Sequence, residues 1–248
     1  MHSLHISGNL GSVLSFWYRL SRLKRLVDRV LLNRFVPLEE CHICIEEFYE
    51  LDDVEADRWI RHALSKCHVG VLIVDIDTEF GSKMELSGKP MVSGYLKRLE
   101  LHSVRMEDDI LDLSCCTTLE DLRLSSCDIG ATKISSQSVK RLTIATCVFC
   151  RSDCRTCIST PNIISLKLDN NFDATPLLDR MPSLETAFVR LFYDYVSYCQ
   201  KGDNDDHFYG VCEDCSANHD HYDGCMLLGG LSSATHLELI APIAKVHT

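Results

Sequence analysis

One apolar phrase, Leu-x-x-Leu-x-Leu with apolar replacements, recurs five times between residues 96 and 189. Its copies begin at residues 96, 119, 139, 163 and 184, so the repeat length varies only between 20 and 24 residues. In three copies a Cys or Asn follows three residues after the phrase, at Cys127, Cys147 and Asn171. A period of about 20 to 29 residues with four positions in register is typical of a stack of structural repeats.

The spacing inside the phrase explains how such a stack forms. The second and third apolar residues are two apart, so on an extended strand both side chains point into the stack while their neighbours point outward. One such strand cannot bury its apolar face alone and needs adjacent repeats. The Cys or Asn stands where the chain leaves the strand, and its side chain can hydrogen-bond buried backbone. The pattern therefore predicts an α/β solenoid, a curved leucine-rich-repeat stack with parallel strands.

The regions before the regular block predict further helices and strands. Residues 16–35 form a basic amphipathic pattern, typical of a membrane-surface or partner-binding helix, which we interpret instead as a cap over the first repeat. The predicted domains are therefore an N-terminal tail with a capping helix (1–35) and the solenoid (36–248). Residues 53–67 predict a helix and residues 69–76 a strand. Inside the block, residues 175–181 predict a short helix and the other connections predict turns.

An acidic, Cys-rich segment interrupts the pattern late in the chain. We interpret residues 194–229 as an insertion between two repeats, because eight acids and one base fall between residues 194 and 225 and apolar periodicity is absent. Five potential zinc ligands lie within it, but their spacing matches no standard zinc module, so a metal site is the less favoured alternative. These ligands are Cys212, Cys215, His219, His221 and Cys225.

Composition narrows the classes of function. The net charge of −11 argues against nonspecific nucleic-acid binding, which needs a basic surface. No apolar run is long enough to span a bilayer, and the first twenty residues lack the pattern of a signal peptide. We therefore expect a cytoplasmic or nuclear protein, no disulfide framework among the 14 Cys, and no membrane partner.

Candidate binding residues occupy the outward positions of the predicted strands. If the concave face of the solenoid binds a partner, these residues form a strip of mixed charge with one aromatic side chain, and Arg and aromatic residues are favoured anchors in protein interfaces. The alternative is that they are solvated strand residues. The strip comprises Arg98, Glu100, His102, Asp121, Arg123, Arg141, Thr143, Lys167, Asp169, Phe188, Arg190 and Glu238.

Several short segments, taken in order, carry a family resemblance. Residues 27–31, 57–60 and 181–184, the acidic Cys-rich insertion and residues 230–235 together resemble the plant F-box/leucine-rich-repeat proteins. The resemblance implies a substrate receptor of an SCF-type ubiquitin ligase, in which an F-box holds a Skp-type adaptor and the repeats hold the protein to be ubiquitinated. The fifteen residues before the predicted helix are too few for a three-helix F-box, so a standalone interaction module is the alternative.

Motifs for catalysis are not found in the sequence. There is no nucleophile elbow, no zinc-protease helix motif and no phosphate-binding glycine loop. The Cys-x-x-Cys pair at Cys212 and Cys215 is flanked by carboxylates, which disfavour a reactive thiolate. We therefore expect a binding protein and not an enzyme, with no cofactor and a protein as its partner.

Overall fold

The computed structural model describes residues 3–9, 25, 27–29, 37–46, 53–76, 83–107, 110–150, 155–191 and 226–240. Among these residues, two complete helices, α1 (Asp53–Ser65) and α2 (Met226–Leu231), accompany seventeen strands. The strands are β1 (Ser3–Asn9), β2 (Glu40–Glu46), β3 (Val71–Ile76), β4 (Met84–Glu85), β5 (Arg98–His102), β6 (Val104–Met106), β7 (Ile110–Asp112), β8 (Asp121–Ser125), β9 (Asp128–Ile129), β10 (Lys133–Ser135), β11 (Arg141–Ala145), β12 (Val148–Phe149), β13 (Cys157–Ser159), β14 (Ser165–Asp173), β15 (Leu177–Leu178), β16 (Thr186–Leu191) and β17 (His236–Ile240).

The strands form a parallel β-solenoid of about five turns. The long row of the solenoid runs β1-β2-β3-β5-β8-β11-β14-β16-β17, and every pairing in it is parallel. A second row, β4-β6-β9-β12, joins the end of β14 through Phe172 and Asp173. A third row, β7-β10-β13-β15, forms a separate four-stranded sheet. Each regular turn therefore contributes three short strands around one core.

The repeated phrase supplies that core. All fifteen of its apolar residues, from Leu96 to Val189, are no more than 4% exposed. The predicted inward direction of the phrase is thus confirmed, and the solenoid is the predicted architecture. In the described part of the regular block, the second and third sides consist of short strands. The finer assignment as a leucine-rich repeat stays a prediction.

The Cys and Asn positions form a hydrogen-bonded ladder between turns, as the pattern predicted. The Asn171 amide donates to the Ile144 carbonyl at 3.0 Å and accepts the Cys147 N–H at 2.9 Å. One turn earlier, the Cys127 N–H donates to Cys147 Sγ at 3.4 Å and the Cys127 thiol donates to the Leu101 carbonyl at 3.3 Å. These side chains satisfy buried backbone groups where the chain turns from the first row of strands to the second.

The N-terminal region differs from its predicted organisation. Residues 3–9, expected to lie in a tail, form β1 and pair with β2 along its whole length. Of the predicted capping helix at 16–35, only Arg25 and residues 27–29 lie among the described residues, and they are helical. Val27 is buried, and Asp28 accepts a hydrogen bond from the Trp59 indole at 3.0 Å. This helical piece follows a strand and packs beside α1, so a terminal cap is not confirmed.

Two further boundaries need correction, whereas α1 and β3 match their predictions. Residues 175–181 are not helical, because the Leu177 and Asp179 N–H groups bond to Thr156 and Ile158 of the preceding turn and form β15. The predicted insertion at 194–229 ends too late, since residues 226–229 belong to α2, which packs against β15. Most of the insertion, residues 194–225, lies outside the described residues.

Candidate functional site

The outward residues of the long row come into register as predicted. Glu100 pairs with Arg123, Arg123 with Thr143 and Thr143 with Lys167. The row continues from Lys167 to Phe188 and Glu238. A flanking row carries Arg98, Asp121 and Arg141, and the other flank carries His102, Asp169 and Arg190. We call these twelve residues the charged strip; their role in binding remains a prediction.

The first half of the charged strip is an ion network built on two buried carboxylates. Glu100 is 8% exposed and Asp121 is 6% exposed, although both point away from the core. Arg98 pairs with Glu100, and Arg123 reaches Glu100 at 3.4 Å and Asp121 at 3.1 Å. Arg141 approaches Asp121 at 3.5 Å. The three guanidinium groups therefore cover the two carboxylates and offset the cost of burying their charge.

Arg123 is the centre of this network. Its Nε and Nη2 atoms donate to the two oxygens of Asp121 at 3.3 and 3.1 Å, which is the bidentate geometry that suits a planar guanidinium. Hydrogen bonding to Asp121 raises the pKa of Arg123 above its already high value. His102 Nε2 lies 3.6 Å from Glu100 on the other side. Glu100 and Asp121 thus hold Arg123 in one orientation on the outer face.

The second half of the strip surrounds Phe188. Lys167 Nζ and Arg190 Cζ each lie 5.3 Å from the centre of the Phe188 ring, within the range of a cation–π contact. Both cations also reach Asp169, Lys167 at 3.0 Å and Arg190 at 3.4 Å. The Arg190 Nε and Asp169 Oδ1 atoms are buried and lack a hydrogen bond, so this ion pair is the more loosely oriented one.

Sequence reasoning missed the extension of the same face towards β1. The central row continues from Glu100 to Ile73, His42 and His5, and the two imidazole rings stack with centres 4.5 Å apart. The alternation of Leu4 and Ile6 in the first nine residues is the signal that indicates a strand there. At seven residues, this segment is too short to be distinguished from a loop by periodicity alone.

Cysteine residues are the basis of two alternative functions, zinc binding and redox chemistry. The proposed zinc ligands Cys212, Cys215, His219, His221 and Cys225 all lie outside the described residues. Among the residues that the structure describes, no group of three or more metal-ligating side chains comes together, and the nine described cysteines form no disulfide with one another. Burial raises the pKa of Cys147 far above its ordinary value, so this thiol serves the ladder and not redox chemistry.

Comparisons with known proteins add nothing to this geometry. No protein-family model, no curated protein and no solved structure matches the chain. Within the described part of the chain, no helix is both long enough and apolar enough to cross a membrane.

Proposed function

We propose that this chain is a recognition module that binds a partner protein through the charged strip. One observation supports the proposal. Five strands that are neighbours in the long row each place an exposed cation on the same face, which also carries the aromatic ring of Phe188. A parallel solenoid presents regular rows of outward side chains, and such surfaces are the usual contact sites of repeat proteins. Binding, and not catalysis, is the activity that this arrangement serves.

Two roles are compatible with such a module. The resemblance to plant F-box/leucine-rich-repeat proteins favours the substrate-recognition part of an SCF-type ubiquitin ligase, and the alternative is a standalone interaction module. Both roles place the partner on the same face. They differ in whether a Skp-type adaptor and a cullin accompany the chain.

Affinity capture of the full chain from its native cells, read by quantitative mass spectrometry, tests the proposal. The informative variant is Arg141→Glu with Lys167→Glu, because both side chains are about half exposed and each carboxylate that they contact keeps another cation, Arg123 beside Asp121 and Arg190 beside Asp169. Arg123 is a poor choice, since its loss leaves Glu100 and Asp121 buried and short of a cation. The matched control is Lys89→Glu with Arg180→Glu, two exposed cations off the strip.

The proposal expects at least one protein to be lost from the strip variant and retained by the control variant. An identical set of captured proteins from all three chains contradicts it. Recovery of the Skp-type adaptor and cullin in near-equal amount with the wild-type chain supports the ligase role. Strip-dependent partners without the adaptor support the standalone module.

A further inference from the structure

The cations of the charged strip follow a regular order along the solenoid. Arg98, Arg123, Arg141, Lys167 and Arg190 come one each from β5, β8, β11, β14 and β16, which are neighbours in the long row. Parallel strands lie about 4.8 Å apart, so these five strands span about 19 Å. The strip thus places one positive charge on each of five neighbouring strands, with Arg98 and Arg141 in one flanking row, Arg123 and Lys167 in the central row and Arg190 in the other flanking row.

The carboxylates of the same face are placed beneath the cations. The side chains of Glu100, Asp121 and Asp169 are 8 to 17% exposed, whereas the five cationic side chains are 37 to 53% exposed. The solvent-exposed surface is therefore positive, even though the three carboxylates beneath it neutralise three of the five cationic charges. The buried carboxylates also hold the arginine side chains in place, which reduces the entropy lost when a ligand binds them.

Acidic residues bound the positive surface on both sides. Asp75 on β3 stands in register with His102, one strand before the first cation, and Glu238 on β17 stands in register with Phe188, one strand after the last cation. Between them, β11 contributes only Arg141, Thr143 and Ala145, so no carboxylate lies below Arg141 on its own strand. Thr143 lies between Arg123 and Lys167 in the central row, so an uncharged side chain separates these two cations.

We propose that the charged strip binds an extended acidic segment of the partner protein, about six residues long. This inference rests on the proposed function and names the chemistry of the partner. Carboxylates at alternate positions of an extended segment face the same side and pair with Arg141, Lys167 and Arg190. An apolar side chain at one end of the segment packs against Phe188, which the two flanking cations hold in place.

Chain length and charge favour a peptide over a nucleic acid as the occupant. The remainder of the molecule is strongly acidic, so it repels a long polyanion, and a strip of about 19 Å neutralises only a short one. A six-residue peptide fits within the strip, and its uncharged residues lie next to the acidic residues at the two ends. The ring of Phe188 adds an apolar contact that a phosphate backbone does not use.

Fluorescence anisotropy with labelled probes tests this inference on the full chain. The probes are an eight-residue peptide of alternating Glu and Ser that ends in Phe, the same peptide ending in Ser, its Lys-for-Glu counterpart, and a single-stranded oligonucleotide of eight thymidines. We expect the Phe-ended acidic peptide to bind, and Arg141→Gln with Lys167→Gln to weaken it at least about tenfold. Lys89→Gln with Arg180→Gln should leave its affinity unchanged.

Two further readouts separate the parts of the inference. Phe188→Ala should weaken the Phe-ended peptide and leave the Ser-ended peptide unaffected, so the second probe reports whether the variant strip is still folded. Equal or tighter binding of the oligonucleotide, or peptide binding that the double variant does not weaken, overturns the inference. If captured partners depend on Arg141 and Lys167 but no acidic peptide binds, the inference fails while the proposed function stands. If neither partner capture nor peptide binding depends on the strip, the inference and the proposed function both fail.

Discussion

Single residues at the corners of the solenoid have positive φ angles, a backbone conformation that residues other than glycine rarely adopt. Ser103, Ser126, Thr146 and Asn170 have φ between 50° and 55°, and each directly precedes a residue of the buried ladder or its equivalent. Asn tolerates this left-handed region, whereas a β-branched residue is strained in it. Nothing in the phrase predicts these corners, because two Ser, one Thr and one Asn share no pattern beyond being small and polar.

Thr146→Asn is therefore expected to stabilise the chain by about 1 kcal/mol, because it relieves the left-handed strain of a β-branched residue. Thr143→Asn provides the matched control, because it makes the same exchange three residues earlier, on strand β11. Asn is disfavoured in a strand, so this variant should lower stability. Urea denaturation followed by circular dichroism measures both. A loss of stability in both variants would show that Thr146 is not strained in solution.

The Cys157 thiol offers a test of local electrostatics. Burial raises the pKa of Cys157 to about 11, with a further contribution from the neighbouring Asp179 carboxylate. Since only the thiolate reacts, alkylation of Cys157 at pH 8 should be about a hundredfold slower than that of an ordinary thiol and should rise about tenfold per pH unit up to pH 10. Mass spectrometry of the alkylated protein measures the rate. Asp179→Asn should accelerate the reaction, and an unchanged rate would contradict the assigned role of Asp179.

At the scale of elements, periodicity predicted the long row and missed the other two. The phrase repeats with period two inside each strand, so it determines which residues face the core and which stand opposite each other in the next turn. The strands of the second and third rows are only two or three residues long, and so carry no measurable periodicity. Leu177, Leu178 and Met181 have the apolar spacing of a helix, yet the backbone of Leu177 and Leu178 pairs with β13 instead.

The contact between α2 and β15 depends on one glycine. A Cβ atom at Gly230 would lie 2.3 Å from the Leu178 Cβ and 3.0 Å from its carbonyl oxygen, whereas nothing lies within 4 Å of a Cβ at Gly229. Gly230→Ala should therefore cost about 1 to 3 kcal/mol through overpacking. Gly229→Ala should be neutral or stabilising by up to about 1 kcal/mol, because Ala favours the helix. Thermal denaturation compares the two, and equal effects would indicate that α2 does not pack on β15.

For the whole molecule, the sequence predicted which residues share the outer face, but it did not predict how deeply each side chain is buried. Glu100 and Arg123 are both outward residues of the central row, and nothing in their own strands indicates that one is buried and the other exposed. The difference arises from arginines of the same strand and of the next turn, which fold over the carboxylates. An acidic chain can therefore present a positive surface, and the net charge alone is a poor guide to its partner.

The repeat also predicts a contrast between the middle and the end of the stack. Leu122 and Leu237 occupy the same position of the phrase, but Leu122 is fully buried between two turns and Leu237 is 47% exposed on β17. Leu122→Asp should abolish cooperative folding or cost at least about 3 kcal/mol, because it buries an unpaired carboxylate.

Leu237→Asp is the matched control and should cost less than about 1 kcal/mol, because its carboxylate remains in contact with water at the described edge of the sheet. Circular dichroism melting of the two variants beside the wild-type chain measures the difference. A melting temperature unchanged by Leu122→Asp would refute the register of the long row. Equal and large losses from both variants would instead mean that β17 is covered in solution and that the stack continues beyond it.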